Sequence, residues 1–208
     1  MSVLLTTLLV GSGILLGRMI ARSPDKKAPP EPGAASPKPA EPAKPAAKAA
    51  PNLDALPCQL GDVVLRSATS EEAWLAGAIV LFEGAEPAAV LFVSPEAGGD
   101  RAVLARPSQG ELLWLAEAKG GLVALGEPPT ALEVGSDRFE RRRRLPLRAE
   151  RIGTGAPDVG TDVIFAEYTG LGDDALVVFA AKDRVFAWRG PVLSSGAYDV
   201  LPGRREEI

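Results

Sequence analysis

The chain has 208 residues, with 23 Lys/Arg against 27 Asp/Glu, no histidine and one cysteine. The missing histidine excludes Ser-His-Asp and Cys-His catalysis, histidine-ligated zinc or haem and a histidine pH switch, and the single Cys58 excludes an intrachain disulfide or a cysteine-rich metal site. Charge is uneven: residues before Asn52 carry +4 and the remainder −8, an acidic balance that excludes general nucleic-acid binding by the larger part.

Residues 1–22 read as a transmembrane anchor. Met1 to Gly17 has no charged side chain, and as a helix it spans roughly 26 Å against a ~30 Å hydrocarbon core. Met19, Ile20 and Ala21 complete the span if Arg18 snorkels to the headgroups. Arg18, Arg22, Lys26 and Lys27 follow the span and no Lys or Arg precedes it, so the positive-inside rule places the C-terminal side in the cytoplasm. The alternative is a cleaved signal peptide, against which stand the absent basic n-region and Pro24 just after the Ala21-Arg22-Ser23 candidate cleavage motif. Gly13 and Gly17 form a GxxxG face that would let two such helices approach, giving a homodimer through the membrane; glycine is also simply common in membrane spans.

Residues 23–52 are a Pro/Ala/Lys-rich linker without aromatic residues. Such a composition buries too little apolar surface to offset ordering entropy, so the prediction is a disordered spacer. Its upper reach is roughly 90 Å in a polyproline-like conformation.

From residue 53 to 203 the pattern changes to short apolar runs between Gly, Pro, Asp and Ser, which predicts an all-β domain of antiparallel strands, barrel or sandwich. Strands are expected at Val63–Leu65, Trp74–Phe82 (broken at Gly77), Ala88–Val93 and Ala102–Ala105. Leu112–Leu115 and Leu122–Leu125 flank Gly120-Gly121 and suggest a hairpin. Further strands are expected at Phe139–Leu147, Asp162–Tyr168, Leu176–Ala180, Arg184–Trp188 and Ala197–Leu201. Ser70-Glu71-Glu72 could begin a single helical turn, as could the stretch after Gly110. Two meanders, one from Ile79 to Leu104 and one from Val163 to Trp188, read alike and suggest two related halves closing on each other. Residues 204–208 are a polar tail.

The loudest local feature is basic: Arg138, Arg141, Arg142, Arg143, Arg144, Arg148 and Arg151. A regular strand would put Phe139, Arg141, Arg143, Leu145 and Leu147 on one face and Glu140, Arg142 and Arg144 on the other. Arg141 to Arg144 are the candidate binding patch for an anion or an acidic partner. The competing reading is an edge strand guarded by charge, or arginines paired with the acidic rest of the domain. The carboxylate pairs Glu71-Glu72 and Asp173-Asp174 lack the spacing of a calcium loop. Trp74, Trp114 and Trp188 read as core, and Cys58 as a small buried residue. No metal or cofactor is expected, and no catalytic residue is assigned.

Cys58-Gln59-Leu60-Gly61-Asp62-Val63-Val64, Trp114-Leu115, Leu145-Pro146-Leu147 with Glu150 and Gly153, Phe165-Ala166-Glu167-Tyr168 and Trp188-Arg189-Gly190 occur in an order that resembles the bacterial domain of unknown function 4178 family. The resemblance covers most of Pro57 to Pro202, departs from the family at Ala88-Ala89, and implies an all-β domain often found near membrane proteins, with no established activity. The expectation is a single-pass inner-membrane protein that holds a cytoplasmic binding or scaffold module near the bilayer and engages a protein partner. The alternatives are a carboxylate enzyme using Glu167 with Tyr168, which requires the two to converge in a pocket, and a structural envelope component.

Overall fold

The computed structural model describes residues 51–95, 100–107, 109–118, 127–182 and 184–203. The candidate anchor with Gly13 and Gly17, the linker to residue 50 and Leu122–Leu125 lie outside them. The described residues form twelve strands: β1 Val63–Arg66, β2 Glu71–Trp74, β3 Gly77–Glu83, β4 Glu86–Ser94, β5 Arg101–Ala105, β6 Leu112–Glu117, β7 Ala131–Val134, β8 Asp137–Gly153, β9 Asp162–Thr169, β10 Asp174–Ala180, β11 Val185–Leu193 and β12 Tyr198–Leu201. No helix among them is long and apolar enough to cross a membrane.

Eight strands close into an antiparallel barrel in the order β3-β4-β5-β6-β11-β10-β9-β8, with β8 pairing back to β3. The barrel is two four-stranded meanders, β3 to β6 and β8 to β11. They join first strand to first strand and last to last, through β3–β8 and β6–β11. β7 pairs with the first turn of β8 beyond the barrel wall. A second sheet, β12-β1-β2, brings the end of the described chain beside its beginning.

Alternation along each strand sorts the side chains. Ile79, Leu91, Leu104, Leu115, Phe165 and Val177 belong to the buried cluster that fills the barrel. Phe179 packs edge-on against both Phe165 and Trp188, with ring centroids 5.6 and 5.3 Å apart. The intervening residues of β3 to β6, among them Val80, Phe92, Val103 and Trp114, are buried too, beneath Val64 and Ala73 of the second sheet and Leu53, Leu56 and Cys58 before it. Both faces of these strands are covered, which is why their sequences are continuous apolar runs rather than alternating ones. A third cluster sets Phe139, Tyr168, Leu176 and Val178 beneath Leu132 and Val134 of β7. An apolar interior is the reverse of a membrane-spanning barrel, whose lumen is polar.

Three local expectations are corrected. Glu71 and Glu72 belong to strand β2, because antiparallel pairing with β1 satisfies their backbone, and no helical turn forms there. The stretch after Gly110 leads into strand β6, whose backbone pairs with β5 and β11, and no helical turn forms there. Trp74 to Phe82 is two strands, since β2 ends at Trp74 and β3 starts in a different sheet at Gly77.

The closing seam begins where Gly77 faces Gly153. A Cβ on Gly77 would overlap the Thr154 carbonyl, and one on Gly153, at φ +69°, would overlap the Ala76 carbonyl. Gly77→Ala and Gly153→Ala should each lower unfolding free energy in urea by about 2–4 kcal/mol, whereas Gly84→Ala, which has open space around it at φ +63°, should cost about 1 kcal/mol.

Candidate functional site

β8 is 17 residues long and changes neighbours along its length. It pairs with β7 up to Glu140, with β9 from Glu140 to Arg148, and with β3 from Arg148 onward. Between Arg141 and Leu147 it therefore has β9 on one side only. Pro146, which has no N–H to donate, sits in that stretch as edge geometry requires.

The basic run carries a β-bulge. Arg141 faces Tyr168 and Arg143 faces Glu167, so two steps on β8 oppose one step on β9, and Arg142 is the extra residue. The bulge overturns the alternation expected from the sequence. Arg141 and Arg144 lie on the outer face with Tyr168, Ala166 and Phe139, while Arg143, Leu145 and Leu147 lie on the inner face with Glu167, Phe165 and Val163. Arg141 to Arg144 thus point in three directions.

Their partners differ accordingly. Arg141 donates from Nη1 to the Pro128 carbonyl, and its backbone N–H bonds Thr130 O at 2.8 Å. Arg144 Nε lies 3.0 Å from Glu127 Oε1. Arg148 pairs with Glu150 and stacks over the Phe82 ring, and Arg138 lies 3.6 Å from Glu140. Arg142 and Arg143 are exposed and have neither an ion pair nor a side-chain hydrogen bond among the described residues.

Beneath Arg143 lies a buried charge pair. Arg106 Nη2 is 2.6 Å from Glu167 Oε2, and both residues are less than 10% exposed. Arg106 follows β5 and Glu167 lies on β9, four strands apart in a ring of eight, so the pair spans the barrel from one wall to the opposite one. Gln109 Oε1 accepts a further bond from Arg106 Nη1 at 3.2 Å, while Arg106 Nε and Nη2 make no aligned hydrogen bond. The contact with Glu167 is therefore chiefly a charge contact. Its signal in the sequence was an arginine continuing the inward parity of Ala102 and Leu104.

Glu167 and Tyr168 do not converge. Neighbours on a strand face opposite ways, and Tyr168 turns outward, where its hydroxyl donates to Pro129 O at 2.9 Å. Burial pushes the Tyr168 phenol up, against the opposing pull of Arg141. Asp173 lies in the turn before β10 and Asp174 opens that strand; Asp174 Oδ2 accepts from Arg189 Nε at 2.9 Å and Nη2 at 2.6 Å. Glu71 is held below the usual carboxylate range by the Thr69 hydroxyl, assisted by Arg66 and Arg101. Burial and then the Asp62 charge push the Cys58 thiol up to about 12, so it is not a nucleophile. Trp114 and Trp188 are core residues; Trp74 is 41% exposed.

On the outer wall, Phe82, Pro146, Ile164 and Ala180 line a groove of about 650 Å³ rimmed by Glu127, Arg148, Asp162 and Lys182. No group of three or more potential metal ligands occurs among the described residues. No protein-family model, curated protein or solved structure matches the chain.

Removing one partner of a buried pair leaves an uncompensated charge. Glu167→Leu should therefore lower the urea-unfolding free energy by about 3–5 kcal/mol, and Arg106→Leu/Glu167→Leu should recover most of that loss.

Proposed function

We propose that the barrel is a binding module whose recognition surface is the exposed bulge of β8, and that Arg142 and Arg143 engage an acidic segment of a protein partner. The observation that carries this reading is the bulge at Arg142. It leaves two consecutive exposed arginines without acidic partners among the described residues, in a region of the chain whose net charge is −8, while Arg138, Arg141, Arg144 and Arg148 are all engaged nearby. Bulges re-aim side chains in this way beside functional sites. Arginine suits the task because its planar fork pairs bidentately with carboxylates. The packed interior supports the same reading, since Leu, Val and Phe side chains fill the space that a lumenal ligand would need.

The one-sided charge after residues 1–22 supports an anchored arrangement at the inner membrane, with the barrel on the cytoplasmic side at the end of the 23–52 spacer. Tethering raises the effective concentration of the module for partners at the bilayer. Gly13 and Gly17 would bring two such anchors together. The proposed resemblance to the domain of unknown function 4178 family rests on the order of the short motifs from Cys58 to Gly190.

The test is a pull-down from detergent-solubilised membranes with the full chain. A partner retained by the wild type and by Arg138→Glu is expected to be lost with Arg142→Glu/Arg143→Glu. An unchanged partner set in the double reversal overturns the proposal.

A further inference from the structure

The second sheet presents a face that the arginine site does not use. Register places Trp74, Val63 and Leu201 in one row across the three strands, and Glu72, Leu65 and Asp199 in the row two residues further along. The opposite face, with Val64 and Ala73, is the one buried on the barrel, so both rows point outward. Trp74 is 41% exposed and Leu201 50%, two of the three exposed large hydrophobic side chains among the described residues. Glu72 and Asp199 are exposed and take no ion pair there, in contrast with the adjacent Glu71, which is bound by Arg66 and Arg101.

We propose that this face docks a proline-rich segment of another protein, carrying lysine or arginine at positions i and i+3. The spacing follows from the sheet. Glu72 and Asp199 sit on the two outer strands either side of Leu65, so they are two strand spacings apart, about 10 Å. A polyproline II helix returns to the same face every third residue after about 9 Å. One turn therefore sets a cation over each carboxylate. The Trp74 row, about 7 Å away along the strands, receives the pyrrolidine rings. Such a ligand is ordered before it binds, which suits so small a face.

Charge disfavours the other occupants. A second copy would bring four unpaired carboxylates into one interface, and an anionic bilayer would repel Glu72 and Asp199. The lysines of this chain's own proline-rich stretch, Lys26, Lys27, Lys38, Lys44 and Lys48, contain no i, i+3 pair.

Trp114 and Trp188 are buried, so Trp74 dominates any solvent-sensitive change in tryptophan emission. The experiment titrates the full chain in detergent with the peptide acetyl-PPKPPKPP-amide and, separately, with acetyl-PPEPPEPP-amide. The expected result is a saturable blue shift with the lysine peptide alone. Glu72→Lys/Asp199→Lys should weaken it at least about tenfold, and Trp74→Phe should remove the shift. Both double reversal and Trp74→Phe alter exposed positions, and circular dichroism checks that each retains the wild-type fold. No saturable shift up to about 1 mM peptide, equal binding of the glutamate peptide, undiminished binding by the double reversal, or a shift that depends on protein concentration alone would each overturn the proposal.

Discussion

Everything in this molecule depends on the pairing of β3 with β8. Six residues of β3, Gly77 to Phe82, are matched to Gly153 through Arg148. Without that seam the eight strands would be an open sheet with two unpaired edges, a template for aggregation. With it, the apolar cluster inside the barrel is enclosed, and the two meanders become one wall. The constraint is non-local, since the two strands belong to different halves of the barrel, and its loop-closure entropy must be met before the core rewards it. The glycine pair at its start lets the two backbones approach where any side chain would overlap a carbonyl.

Closure decides where function can reside. The interior is filled by aliphatic and aromatic groups, and the Arg106–Glu167 pair bridges the lumen above them. Most of the outer wall is covered as well, by the β12-β1-β2 sheet on one side and by β7 on the other. Among what stays open are the stretch of β8 that lies beyond both β3 and β7, with the groove beside it, and the outer face of the small sheet. These two surfaces carry opposite charge, with free guanidinium groups on one and free carboxylates beside a tryptophan on the other. The partners proposed for these two surfaces are accordingly unlike.

Much of the strand inventory was legible in the sequence, because strands buried on both faces leave uninterrupted runs such as Ala78 to Phe82 and Val90 to Val93. The all-β class and the pair of meanders followed from those runs. The facing of the arginines was not legible. Strict alternation assigns Arg141 and Arg143 to one side, and only the pairing with β9 reveals that Arg142 is inserted between them. The Arg106–Glu167 bridge was equally hidden, since the two residues are brought together by barrel closure and by no local pattern. Glu167 with Tyr168 looked like a candidate pair because they are adjacent in sequence, and adjacency in a strand is what separates them. β7 escaped notice because Ala131 to Val134 is short and only half-buried.

The most direct test of this account is native-state hydrogen exchange along the seam. If the barrel is closed, the β3 amides that point toward β8 between Ala78 and Phe82 exchange only through global unfolding, with the same free energy as amides at the centres of β4 and β5. Rapid, sub-global exchange of those amides while β4 and β5 stay protected would mean that β3 is an open edge, and would contradict the closed barrel on which the rest is built.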